Sequence, residues 1–190
     1  YILIDGVQHP IDCKVKIDLM PDNCYRKYKS MRKPTMIVTH WDATTSAERC
    51  KRVLQARGIS THFCIDNDGT IFQFVDTNHK AFHAGRVANK CSIGIDFSNA
   101  YYIKYANYYE RKGLPPRPFC RDSRVHGVKL KPHLGFYTEQ INSYKKLLKI
   151  LSKEYKIPLE VPLDENDNLL TKVHKESAKG KFKGVVSHYH

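Results

Sequence analysis

The chain has 190 residues, 41% hydrophobic and 27% charged, enough for one folded domain with a real core. No run approaches the roughly 18 apolar residues of a membrane-crossing helix, which excludes a span read from sequence. Lys and Arg number 32 against 19 Asp and Glu, and the resulting charge of +13 favours polyanionic partners: wall polymers, anionic lipid or nucleic acid.

The sequence opens on Tyr1 rather than Met and shows no export-signal pattern, which reads as a processed or trimmed chain. Residues 1–35 form an N-terminal extension. Tyr1 to Ile4 is extended, Asp5-Gly6 turns, and an extended piece around Lys14 to Leu19 completes a hairpin-like arm. The domain proper, 36–190, begins with a short apolar strand, Met36 to Thr39, after Lys33-Pro34. His40 stands where this strand runs out, and Thr44-Thr45-Ser46 suits a helix N-cap. Ala47, Cys50, Val53 and Leu54 then recur at helical spacing until Gly58, predicting an amphipathic helix over 46–57.

Residues 61–75 read as a β-hairpin, with Phe63-Cys64-Ile65 and Ile71 to Val75 flanking the turn Asp66-Asn67-Asp68-Gly69. Ser92 to Phe97 is another short strand. From 99 to 133 the composition changes: five tyrosines lie between Tyr101 and Tyr109, followed by Pro115-Pro116-Arg117-Pro118 and seven basic residues between Arg111 and Lys131. This is an insertion. Tyr101, Tyr105, Tyr108 and Tyr109 match helical spacing, and a helix packing one aromatic face is favoured over a sugar-stacking platform.

Tyr137 to Tyr155 is the clearest helix, with Ile141, Tyr144, Leu148, Leu151 and Tyr155 in one stripe, Thr138 as its cap and Pro158 after its end. A second, polar insertion covers about 160–181 and includes Lys172, Lys175 and Lys179. Gly184 to Ser187 is a last strand delivering His188. The order of elements predicts an α/β fold, a mixed central sheet flanked by helices. No CxxC spacing joins the six cysteines, which excludes a zinc knuckle. Several lie in apolar segments and read as buried thiols, while a Cys13–Cys24 disulfide stays open.

A lone histidine at a strand end is most often a hydrogen-bonded structural residue. Two of them, His40 and His188, at the ends of strands that could neighbour one another, make a candidate metal pair. The ordered motifs VTHWDAT (38–44), STHFCIDNDGTIFQFV (60–75), AFHAG (81–85), NKCSIGIDF (89–97) and VVSHYH (185–190) resemble type 2 N-acetylmuramoyl-L-alanine amidases of the peptidoglycan-recognition superfamily. The resemblance implies a Zn2+ cofactor and hydrolysis of the bond between N-acetylmuramic acid and L-alanine in bacterial peptidoglycan. It makes His40 and His188 zinc ligands. It also places the third ligand, an Asp or Cys, about eight residues past His188, so the domain's C-terminal end is expected to lie outside this chain.

By the same resemblance Asp96 takes the place of a catalytic glutamate acting as general acid/base, and Thr61 stands where some members carry a tyrosine. His62, Phe82, His83 and Asn89 match substrate-groove positions. For His62 a supporting role behind the site weighs equally, and for Asn89 holding a turn weighs more. The insertions point to a bacteriophage endolysin or virion component, made in the host cytoplasm and acting at the wall; an extracellular bacterial autolysin is the other source. The rival functions are peptidoglycan binding without hydrolysis and nucleic-acid binding. No nucleic-acid motif accompanies the charge, so a solvated basic surface, gripping anionic wall polymers at most, is favoured.

Overall fold

The computed structural model describes residues 1–30 and 32–190. In chain order the strands that matter are β1 (Ile2–Ile4), β2 (Val7–His9), β3 (Val15–Ile17), β4 (Met36–Trp41), β5 (Phe63–Ile65), β6 (Ile71–Gln73), β7 (Ser92–Phe97) and β8 (Gly184–Ser187). The helices are α1 (Ala47–Ala56), α2 (Gly85–Cys91), α3 (Ala106–Arg111), α4 (Thr138–Tyr155) and α5 (Lys175–Ala178). The central sheet has six strands in the order β8-β4-β7-β5-β6-β3. Only β5 and β6 run antiparallel in it, as the hairpin turning at Gly69 (φ +83°). This is a mixed sheet with helices packed on it.

Side chains alternate across the pleat, so each strand serves two layers. Ile37, Ile93, Ile95 and Phe63 face α4, where Leu147 and Leu151 are fully buried against them. Met36, Val38 and Val186 point the other way, toward α2, and Cys64, Phe72 and Phe74 toward α1. His40 and Asp96 pair in register on β4 and β7, and Cys64 on β5 pairs with Asp96. His188 follows β8 beside β4, its N–H bonded to the Thr39 carbonyl at 3.0 Å. The candidate residues thus share one face at the carboxyl ends of the parallel strands.

Several local expectations change. The first hairpin closes on β2, immediately after Asp5-Gly6, while the piece around Lys14 to Leu19 supplies β3, the edge strand beside β6. Cys13 and Cys24 are both free, so no disulfide links them. Tyr137, not Thr138, caps α4: its N–H is accepted by Gln140 Oε1 at 3.1 Å. The tyrosine helix is shorter than its spacing suggests. A 3-10 turn at Ile103–Tyr105 leads into α3, Tyr109 is buried with Ala100 and Leu134, and Tyr101 lies outside the helix at φ +32°. The rest of 99–133 is an arm with short pairings, Phe119–Cys120 with His133–Leu134 and Arg124–Val125 with Val128–Lys129. Buried Arg117 ties it down between the rings of Tyr109 and Tyr137, with a bond to the Ser98 carbonyl at 2.9 Å.

Candidate active site

His40 is half-buried and His188 exposed, and their Nδ1 atoms stand 2.9 Å apart. Burial, with His188 alongside, holds His40 down to about 3, so its imidazole is neutral near pH 7. The hydrogen bonds behind it settle which nitrogen carries the proton. Ser92 Oγ donates to the Ala88 carbonyl at 2.6 Å, so it accepts from His83 Nε2 at 3.2 Å. His83 Nδ1 is then a lone pair that accepts from His40 Nε2 at 3.1 Å. His40 Nδ1 is left as a lone pair turned toward His188. A carboxylate or carbonyl behind a ligating histidine fixes its tautomer in many metal sites; here a second histidine and a serine do it.

This donor set fits zinc. Neutral imidazole is a preferred ligand, and nitrogens about 2.0–2.1 Å from one ion stand roughly 3 Å apart, as these do. Among the described residues, no third His, Cys, Asp or Glu joins the pair within ligand reach. His190 does not: its Nδ1 accepts from the Ser187 N–H at 3.0 Å and its Nε2 donates to the Leu170 carbonyl at 2.6 Å.

The imidazole of His83 is possible only because β7 carries a glycine below it. A Cβ on Gly94 would lie 2.7 Å from His83 Cγ and Nδ1 and 2.8 Å from Thr61 Oγ1. His62 sits deeper. It is fully buried, its Nδ1 accepts from the Gly94 N–H at 3.0 Å, and its Nε2 therefore donates to the His79 carbonyl at 3.0 Å. Burial and the Arg32 guanidinium hold His62 down to about 3. Asn89 is also buried, and its Oδ1 accepts the N–H groups of His83 and Ala84 at 3.0 and 2.7 Å, fixing the loop that carries His83.

A cavity of about 240 Å³ opens beside the histidine pair, lined by His40, His188, Asp96, Thr61, Phe82 and His83 among others. Asp96 is 6% exposed, and burial together with the Asp42 carboxylate raises it to about 7. It can therefore hold or release a proton near neutral pH. Asp42, Cys50 and Cys64 bring ligand atoms within 4.8 Å of one another behind it. Asp42, however, already accepts from Thr44 N–H and Oγ1 (both 2.7 Å), Asn99 N–H (3.1 Å) and Ser98 Oγ (3.2 Å). Burial raises the Cys64 thiol to about 11, and bonding to Cys64 with burial raises Cys50 further, so both stay protonated. Cys50 Sγ lies 3.7 Å from Asp96 Oδ2 as a weak donor. The group is packing behind the acid.

The structure thus brings His40, His188, Asp96, Phe82 and His83 around one cavity and sets His62 and Asn89 beneath it. Sequence reading passed over Ser92 and Gly94. Both sit in the NKCSIGIDF motif, but their roles depend on His83, which comes from a different loop.

The chain matches the N-acetylmuramoyl-L-alanine amidase family over residues 30–189, and it belongs to that family. A Rickettsia conorii protein named "Putative N-acetylmuramoyl-L-alanine amidase RC0497" is 34% identical over 65 residues, 34% of this chain and 24% of that protein. The aligned stretch therefore spans about a quarter of that relative's length. Among solved structures, Staphylococcus aureus hydrolase AmiA in complex with its ligand superposes with a TM-score of 0.55 at 13% identity, covering 97% of this chain and 68% of that one. A mutant endolysin from Bacillus subtilis gives 0.53 at 20% identity, covering 93% and 84%. At these identities the likeness is one of fold.

Proposed function

We propose that this chain is the catalytic part of a zinc-dependent amidase that hydrolyses the bond between N-acetylmuramic acid and L-alanine in bacterial peptidoglycan. The observation that carries the reading is the hydrogen-bond chain from Ala88 through Ser92 and His83 to His40, which leaves a lone pair on His40 Nδ1 facing His188 Nδ1 at 2.9 Å. Family membership over residues 30–189 supports it independently.

His40 and His188 would hold the ion. When bound, zinc supplies Lewis acidity at the scissile carbonyl. Asp96, which burial and the Asp42 carboxylate raise toward neutral pH, would take a proton from the attacking water and pass it to the nitrogen of the leaving L-alanine as the acyl carbon gains the hydroxyl and the C–N bond breaks. Cys50 stays as a thiol, a weak donor to Asp96 Oδ2 at 3.7 Å. Phe82 and His83 shape the wall against which the substrate lies. The two insertions support a role in bacteriophage wall lysis, as an endolysin or virion component.

Digesting purified peptidoglycan with zinc-loaded protein should release stem peptides bearing new L-alanine amino groups, while glycan strands gain no reducing ends. A glycosidase would need two carboxylates flanking a sugar cleft. New reducing ends without new amino groups would overturn the amidase reading. The rival reading is wall binding without hydrolysis, which does not account for the two converged imidazoles. Binding to walls with neither zinc retention nor amine release would decide for it.

A further inference from the structure

Away from the histidine pair, the sheet and α1 gather a second set of ligand-type groups. Cys64 of β5 and Asp96 of β7 are partners in register, so their side chains leave the sheet on the same face. Asp42 follows β4, its N–H bonded to the Phe97 carbonyl at 3.0 Å, and α1 brings Cys50 across to them. Both thiols are buried. The ligand atoms of Asp42, Cys50 and Cys64 lie within 4.8 Å of one another, and Asp96 Oδ2 stands 3.7 Å from Cys50 Sγ.

Two carboxylates share this spot without a counter-charge. Among the described residues, every bond to Asp42 and Asp96 comes from an uncharged donor: Thr44, Ser98, Asn99 and the two thiols. A divalent cation supplies the missing charge, and the spacing suits one. Zinc–sulfur bonds are about 2.3 Å long, so donors at the corners of a tetrahedron stand roughly 3.8 Å apart. Cys64 Sγ lies 3.9 Å from Asp42 Oδ2, close to that edge, as does Cys50 Sγ from Asp96. Without a cation the thiols pack as neutral groups, and an entering ion exchanges with their two protons. Paired thiolates select soft ions such as zinc or cadmium over magnesium and calcium. Asp42, Cys50 and Asp96 all line the 240 Å³ cavity, which gives an ion its way in.

We infer that Asp42, Cys50 and Cys64, completed by Asp96, form a second metal site for a thiophilic divalent cation, distinct from the His40–His188 pair, and that loading it stops turnover. The site stands on its own donor atoms; its effect on turnover rests on the amidase reading. An Asp96 carboxylate bound to a cation has its lone pairs engaged and cannot take a proton from the attacking water. Zinc at the histidine pair therefore supports hydrolysis, and zinc behind Asp96 opposes it.

Cadmium chloride is the probe, because thiolate–cadmium bonds absorb in the ultraviolet and imidazole–cadmium bonds do not. It is titrated into the full chain carrying His188→Ala, which removes the histidine pair, and into the same chain with Cys50→Ala and Cys64→Ala added. The four other cysteines remain in both and cancel in the difference. That difference should saturate at one ion per chain, with proton release. Cys64→Ala alone should weaken binding about 100-fold or more, since losing even a group behind a ligand costs 10- to 100-fold. Cys50→Ala, at the cavity wall, serves the same purpose if Cys64→Ala does not fold. In the unsubstituted chain, amine release from peptidoglycan should rise with zinc and then fall about 100-fold or more in excess zinc, as loss of a general acid and base does. Cys64→Ala, compared with its own maximum, should lose that fall. No absorbance difference between the two chains would overturn the site, and zinc inhibition unchanged in Cys64→Ala would overturn its effect on turnover. A chain that binds cadmium through these thiols yet releases no L-alanine amino groups at any zinc level would sink the amidase reading and leave the metal site standing.

Discussion

At the scale of single residues the site depends on where protons sit. His40→Ala or His188→Ala should each abolish zinc retention, read by metal analysis after dialysis, and wall lysis with it; full activity in His40→Ala would disprove the metal assignment. The proton chain makes a finer claim. Ser92→Ala or His83→Ala frees the His40 ring to place its proton on either nitrogen, so zinc affinity should fall roughly 10- to 100-fold in competition with a chromophoric chelator. Asp96→Asn should leave zinc bound yet slow turnover by about two to four orders of magnitude, as loss of a general acid does. His62 tests burial rather than catalysis. Its folded value near 3 lies below the ordinary 6.5, so the unfolded chain takes up a proton first as pH falls. The stability it contributes is complete above about pH 6.5 and declines toward pH 3, by about 1.4 kcal/mol per pH unit. His62→Gln can still accept from Gly94 and donate to His79. In zinc-free protein, urea midpoints between pH 4 and 6 should therefore depend on pH less steeply by one proton.

At the scale of elements, β7 organises the site, because its pleat offers Asp96 to the cavity and a bare Gly94 to His83 one step earlier on the same face. Gly94→Ala should overpack this spot, cost about 1–3 kcal/mol in chemical denaturation, and lower zinc affinity as far as His83→Ala does. Unaltered zinc affinity in a folded Gly94→Ala protein would show that His83 does not act through this contact. The same strand shows what could be read from sequence. SIGIDF, MIVT and GVVS are short β-branched runs ended by polar residues, so the strands, the α1 and α4 helices and the histidines at strand ends were all legible. Pairings were not. Nothing local tells Val15–Ile17 to join β6 rather than β1, since that choice is made by packing between distant segments. Tyr101 was misassigned because aromatic spacing mimicked a helix, whereas its ring is committed to Trp41 across the fold. Ser92 was passed over for the same reason: a serine's role is set by the histidine that folds onto it.

At the scale of the whole molecule, the charge of +13 has few internal partners. On the 99–133 arm, Lys129 pairs with Asp122 at 2.8 Å, and near the C-terminus Lys179 pairs with Glu176 at 3.4 Å; all four side chains are half exposed or more. Exposed pairs like these contribute little, so most of the positive field stays available to a partner. Arg121, Arg124 and Lys131 on the arm, with Lys181 and Lys183 beside β8, are exposed. A wall carrying anionic polymers presents a polyanion to that field. The resulting attraction is screened over about 8 Å at physiological ionic strength and about 3 Å at 1 M salt. The contacts within the cleft are short and partly buried, and they are screened far less. Co-sedimentation with intact walls should therefore weaken steeply as salt rises from about 0.05 to 0.5 M. Turnover of a small soluble muropeptide, which meets the cleft and not the outer surface, should change little over the same range. Replacing Arg121, Arg124 and Lys131 together with Gln should flatten the salt dependence of wall binding and leave muropeptide turnover intact. Equal salt sensitivity for walls and muropeptide would place the attraction inside the cleft and refute a separate basic grip.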